Sequence, residues 1–142
     1  MRRPWTQLYL HLVWSTWDRL PLLNLRLVPH VYGTFRAKCA EFGCELLSVG
    51  GTSNHVHLLI RWSTTVSIAD LVKGLKGSSS HLVNQEINRE AVFKWQGGYG
   101  AFTISKGQVA RVRRYIENQD AHHRDGTTEA DLEREHEVLP GD

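Results

Sequence analysis

Asn54-His55-Val56-His57-Leu58-Leu59-Ile60 is the stretch on which the fold turns, because two histidines one residue apart run directly into β-prone apolar residues. In an extended strand alternate side chains point to opposite faces. His55 and His57 therefore share one face, about 7 Å apart along the chain, while Val56, Leu58 and Ile60 share the other. The apolar face requires a cover. The histidine face offers two imidazoles, held in place by a rigid strand, to a single metal ion.

Working outward, Gly50-Gly51-Thr52-Ser53 reads as a turn joining this strand to a preceding one over residues 44–49. Farther upstream, Leu8, Leu10, Leu12 and Trp14 alternate with Tyr9, His11, Val13 and Ser15, the period-2 pattern of a first strand that ends before Asp18-Arg19-Leu20-Pro21. Between these strands Leu27, Val31, Phe35 and Cys39 recur every four residues, which predicts a helix over 24–42 stopped by Gly43. Downstream, Ser67 and Asp70 form an N-cap pattern ahead of the apolar stripe Ile68, Leu71, Val72 and Leu75. Gly74 and Gly77 leave that second helix either kinked or interrupted near Gly77, since each glycine costs about 1 kcal/mol relative to alanine. Residues 99–104 form a short fourth strand. Ser105 and Gln108 fit a capping box, with Ile104 and Val109 as a hydrophobic staple, for a last helix reaching about His123.

Strand, helix, strand, strand, helix, strand is the order of an α+β ferredoxin-like sandwich, βαββαβ, with two helices on one face of an antiparallel sheet. One helix is left over. At 142 residues the chain has room for one core and not two, so residues 1–124 read as one domain. No apolar run approaches the roughly 20 residues of a membrane-spanning helix. Gln7, His11 and Ser15 interrupt what would otherwise resemble a secretion signal, and the expected location is cytoplasmic. Cys39 and Cys44 are then two free thiols.

The net charge of +2 hides an asymmetry. Residues 1–124 carry 16 Lys or Arg against 8 Asp or Glu, whereas residues 125–142 carry 1 against 7. A basic body fits a nucleic-acid partner, because cations that neutralise phosphates release counterions. The acidic tail, poor in apolar residues, reads as flexible. On the last helix Tyr115 and Gln119 lie four residues apart on one face, among Arg111, Arg113, Arg114 and Asn118.

These stretches come together in a resemblance. The histidine strand is followed by Leu75-Lys76-Gly77-Ser78-Ser79, Trp95-Gln96-Gly97-Gly98-Tyr99-Gly100-Ala101-Phe102, and Tyr115-Ile116-Glu117-Asn118-Gln119 with His122-His123. With His11-Leu12-Val13-Trp14-Ser15-Thr16 and Arg19-Leu20-Pro21, over about residues 5–124, they resemble the single-tyrosine HUH transposases of the smallest prokaryotic insertion sequences, relatives of the REP-associated tyrosine transposases.

The resemblance implies that His55, His57 and Gln119 hold Mg²⁺ or Mn²⁺ and that Tyr115 is the nucleophile. It implies cleavage and rejoining of single-stranded DNA at hairpin-bearing ends through a 5′-phosphotyrosine, by a homodimer whose tyrosine helix can serve the partner's histidines. A nearby cation and a basic helix would favour the phenolate of a group whose ordinary pKa is about 10. Lys73, Lys76, Arg89 and Lys94, with Arg2 and Arg3, are candidate backbone contacts, and Trp95 and Tyr99 candidate stacking platforms. Three other readings stay open: a domesticated nuclease acting on palindromic repeats, a noncatalytic single-strand-binding module, and a metal-dependent hydrolase using water.

Overall fold

The computed structural model describes residues 2–88, 90 and 92–136. The elements run β1 (Tyr9–Ser15), α1 (Val28–Glu41), β2 (Glu45–Gly51), β3 (His55–Arg61), α2 (Ile68–Leu82) and β4 (Gly100–Ile104). Three more helices follow, α3 (Val109–Glu117), α4 (Gln119–Asp125) and α5 (Ala130–Glu133). The strands make one antiparallel sheet in the order β2-β3-β1-β4, the ferredoxin-like topology expected of the sequence. No helix among the described residues is long and apolar enough to cross a membrane.

Side-chain parity divides the sheet. Leu12, Trp14, Val56, Leu58 and Ile60 face α1 and α2 and meet Val31, Phe35, Leu71 and Leu75 in the main core. Burying each such side chain contributes roughly 1.5–3 kcal/mol, and a one-residue slip in register would replace these residues with histidines. The opposite face carries His11, His55 and His57. Within the main core the Cys39 thiol is free, and burial pushes its pKa up to about 12.

Helix α1 starts four residues later than the spacing predicts. Asn24 instead makes a turn, its side chain accepting from the Leu27 N–H at 3.1 Å, and Pro29 occupies the first helical turn. At the other end Gly43 turns the chain with a φ of 74°. Helix α2 begins as expected, with the Ser67 hydroxyl accepting from the Asp70 N–H at 3.1 Å, and it runs unbroken through Gly74 and Gly77. Gly74 has a packing reason, since a Cβ there would run into the Phe42 ring of α1. The capping box at Ser105 does not form: residues 106–108 make a 3₁₀ turn in which the Gln108 N–H bonds to the Ser105 carbonyl.

The surplus helix covers the histidine face. Val112 and Ile116 of α3 are buried on Leu59, with Leu47, Ile104 and Val109 around them. A bulge at Leu47 in β2 frees its carbonyl, which accepts from Arg113 at 2.7 Å. Gly50 lies directly beneath the Ile116 carbonyl, where a Cβ would collide with backbone. Gly50→Ala is therefore expected to lift α3 and lower stability by about 1–3 kcal/mol. Gly77→Ala, in a helix with open space around it, is expected to stabilise by about 0.4–1 kcal/mol. Thermal melts of the two variants, read for opposite signs, check this.

Candidate active site

The register of β1 on β3 sets Val13 opposite His57 and Ser15 opposite His55, so the two central strands build one polar platform. His11, His55 and His57 are each at most 1% exposed, a degree of burial that demands hydrogen-bond partners. His57 Nδ1 lies 2.7 Å from His11 Nε2, with the two rings stacked. His55 Nδ1 lies 2.9 Å from Asn54 Oδ1 and 2.8 Å from Thr52 Oγ1. Asn54 is also bonded by the Thr52 hydroxyl, leaving its oxygen an acceptor for a protonated His55 Nδ1. Burial, and then the neighbouring His57, hold His55 neutral with a pKa lowered to about 4, and His11 likewise at about 3. A neutral ring protonated at Nδ1 exposes its Nε2 lone pair.

Helix α3 delivers Tyr115 and Gln119 to this platform. The helix expected to reach His123 in one piece instead breaks at Asn118 (φ −113°, ψ 28°) and restarts as α4. Across the break the Gln119 amide N–H₂ donates to the Tyr115 carbonyl at 3.2 Å. That bond fixes the amide orientation and turns Gln119 Oε1 toward His55 Nε2 at 3.1 Å and His123 Nε2 at 3.2 Å. The Tyr115 ring sits 5.9 Å from that of His57 and stacks on His122 at 4.6 Å.

The acidic segment expected to be a flexible tail folds over this site in residues 125–136. The reason is charge and hydrogen bonding, not apolar burial. Glu133 accepts from the Tyr115 hydroxyl at 2.8 Å through one oxygen, while its other oxygen lies 2.7 Å from His57 Nε2 and 3.7 Å from His55 Nε2. The short approach to His57 is poorly aligned, and His57 Nε2 has no hydrogen-bond partner among the described residues. Burial pushes the Glu133 carboxyl up, but His57, Tyr115 and His55 together pull it down to about 2.

Tyr115 is held as a phenol, its pKa raised to about 12 by burial and then by Glu133, against the Glu129 N–H that donates to its oxygen at 3.0 Å. Two cations of the basic helix are engaged with carboxylates, Arg111 with Glu129 and Arg113 with Glu117.

The donor set has the shape of a cation site. One oxygen or nitrogen from each of His55, His57 and Glu133 lies within 4.8 Å of the others, and Gln119 Oε1 lies 3.1 Å from His55 Nε2. Two imidazole nitrogens and a carboxylate oxygen converging there, with His57 Nε2 left without a hydrogen bond among the described residues, fit a divalent ion.

The remaining expected contacts scatter. Lys76 turns inward, donating to the carbonyls of Gln96 (2.8 Å) and Gly98 (2.5 Å). Lys94 stacks over Trp17 with its ammonium 3.9 Å from the ring centroid. Lys73 is exposed on α2, on the side of the sheet away from the histidines. Arg89 lies outside the described residues. Trp95 is buried against Trp14 and Phe35 and donates to Ser79 at 2.9 Å, so it packs and is not free to stack on a base.

Sequence reasoning passed over His11, whose alternation with Leu10 and Leu12 already placed it on the histidine face. It also passed over Glu133, for which no periodicity gave a signal.

Comparison with known proteins agrees with this geometry. A family model described as transposase IS200 like matches residues 5–119. The ISDra2 transposase TnpA of Deinococcus radiodurans is 30% identical over 118 residues, covering 80% of this chain and 84% of that protein. A 1.90 Å crystal structure from D. radiodurans R1, assigned as a transposase, matches with a TM-score of 0.66 at 27% identity, covering 84% of this chain and 95% of that one. The structure of a REP-associated tyrosine transposase bound to a REP hairpin matches with a TM-score of 0.64, covering 90% of this chain and 74% of that one. At 11% identity that likeness is one of fold.

Proposed function

The chain belongs to the IS200-like transposase family, and from that premise we propose that it cuts and rejoins single-stranded DNA at hairpin-bearing element ends, with Tyr115 as nucleophile. The observation that carries the proposal is the meeting of Tyr115, Gln119, His55 and His57 in one buried cluster. The donor set there fits a divalent cation, with His55 Nε2 and His57 Nε2 as holders, Glu133 within 4.8 Å of both, and Gln119 Oε1 taken as the third holder from its place at His55. When bound, Mg²⁺ or Mn²⁺ would act as a Lewis acid toward the charge developing on a phosphodiester.

The chain's own residues account for the rest. Asn54 Oδ1 beside His55 Nδ1 and His11 Nε2 beside His57 Nδ1 orient the two rings, so that each Nε2 points to the site. Gln119, anchored by the Tyr115 carbonyl, keeps its oxygen on the histidine side. Tyr115 Oη attacks phosphorus; the Oη–P bond forms, the P–O3′ bond breaks, and the 3′-oxygen gains a proton while the phenol loses one. Because the phosphotyrosine retains the ester, a 3′-hydroxyl can reverse the step and join DNA without ATP. The Glu133 carboxylate now on Tyr115 must leave before phosphate enters, and with it goes one cause of the high phenol pKa.

Val112 and Ile116 seat α3 on Leu59 of the same chain, and the proposal takes cleavage to be in cis. The homodimer implied by the family remains part of the proposal, with the edge strands β2 and β4 as the places for a second sheet to add. Action on cellular DNA implies a cytoplasmic location. A noncatalytic binding module is disfavoured by burial of Trp95 and by the histidine cluster where stacking aromatics would be needed.

Incubation with single-stranded DNA carrying the element's end and Mn²⁺ is expected to give a covalent protein–DNA band, lost with chelator or in Tyr115→Phe. Cutting that survives Tyr115→Phe would mean hydrolysis by water. Mixing Tyr115→Phe with His57→Ala subunits is expected to yield no adduct; recovery of the band would assign the tyrosine helix to the partner. His11→Phe is expected to weaken Mn²⁺ binding, measured by calorimetry, about 10–100-fold, with partial rescue in His11→Gln.

A further inference from the structure

The segment that delivers Glu133 continues along a groove beside the histidines. Arg134 is extended (φ −72°, ψ 125°), so Glu133 and Glu135 are separated by two residues of extended chain, about 6.6 Å. The segment passes over two glycines. A Cβ on Gly100 would collide with the Arg134 carbonyl, and Gly98, at φ 88°, lies under the Glu135 carbonyl.

At the far end Glu135 meets a built anion site. One of its oxygens accepts from Ser15 Oγ at 2.6 Å and from Arg19 Nη1 at 2.9 Å, and Arg19 Nη1 also donates to Ser15 Oγ at 2.8 Å. Ser15 is 2% exposed and pairs directly with His55 across the strands, so the site adjoins the catalytic cluster. Arg19 is held there at backbone cost. Both Asp18 and Arg19 adopt φ 52°, a left-handed conformation costing each residue on the order of 1 kcal/mol. The turn is pinned by the Thr16 hydroxyl on the Leu20 carbonyl (2.6 Å) and by the Asp18 N–H on Gln96 Oε1 (2.9 Å).

We propose that Ser15 and Arg19 form a phosphate subsite for the DNA strand next to the reacting phosphodiester, and that Glu135 fills it in the free protein. The assignment rests on the reading of the chain as a single-strand DNA enzyme. Glu133 and Glu135 then trace the path of two neighbouring phosphates, one at Tyr115 and one at Arg19. The acidic tail competes with DNA for its own groove.

A phosphate contact is independent of base sequence, so a fluorescein-labelled oligothymidylate is a sufficient probe. Anisotropy titrations of the full chain over a salt series are made for wild type, Glu135→Gln, Arg19→Gln, Arg19→Lys and the Glu135→Gln/Arg19→Gln double variant. Glu135→Gln is expected to tighten binding about tenfold. In that background Arg19→Gln is expected to lose about tenfold and to reduce the slope of log K against log salt by about 0.7, one single-strand phosphate contact. Arg19→Lys, which keeps the charge, is expected to retain most of the slope. An unchanged slope in the double variant, or wild-type affinity in Glu135→Gln, would overturn the subsite. Failure of the catalytic reading is separately visible. An absent covalent band with these anisotropy shifts intact leaves the subsite standing, whereas a covalent band with unchanged anisotropy removes the subsite alone.

Discussion

The antiparallel register that sets Ser15 against His55 and Val13 against His57 is the constraint on which the rest depends. Strand side chains alternate with period 2, so this one alignment fixes two things together. It gives Leu12, Trp14, Val56, Leu58 and Ile60 to the helical layer, and it gathers His11, His55, His57 and Ser15 on the other face. The apolar contribution is large and the polar one small, so the core determines the register. The histidine platform inherits it. The α3 helix then docks through Val112 and Ile116 on Leu59 of the histidine face, and this contact sets Tyr115 at the imidazoles.

Nitrogen and oxygen ligand atoms converge in the cluster so formed. Burial keeps His11 and His55 neutral, Asn54 claims one nitrogen of His55, His11 claims one of His57, and Gln119 turns its oxygen inward. Such a set is poorly satisfied by the chain alone and well matched to a small cation. An acidic segment folded onto the same cluster contributes one more acceptor at Glu133 and engages Arg19 through Glu135. The basic body and acidic end seen in the composition thus have a structural counterpart at two carboxylates.

Much of this was legible in the sequence because it is written in periodicity. Alternation at 9–15 and 54–60, the four-residue spacing of Val31, Phe35 and Cys39, and the cap at Ser67 follow from local geometry, and the strand and helix order followed from them. His55, His57, Tyr115 and Gln119 were found through motif resemblance, and the structure brings the four together. What was not legible depends on tertiary contact. The break at Asn118, the 3₁₀ turn in place of a capping box at Ser105, and the inward turn of Lys76 onto backbone carbonyls have no sequence period. The polar contacts of the acidic segment were hidden for the same reason: low apolar content carries no sign of Glu133 and Glu135, which make directed polar bonds.

The central claim, that His55, His57 and Gln119 hold a divalent cation beside Tyr115, is tested most directly by anomalous diffraction at the manganese edge from crystals grown with Mn²⁺. The account predicts one strong peak bounded by His55 Nε2, His57 Nε2 and Gln119 Oε1, next to the Tyr115 hydroxyl. A peak lying elsewhere, or none at this cluster with Mn²⁺ at saturating concentration, would contradict it.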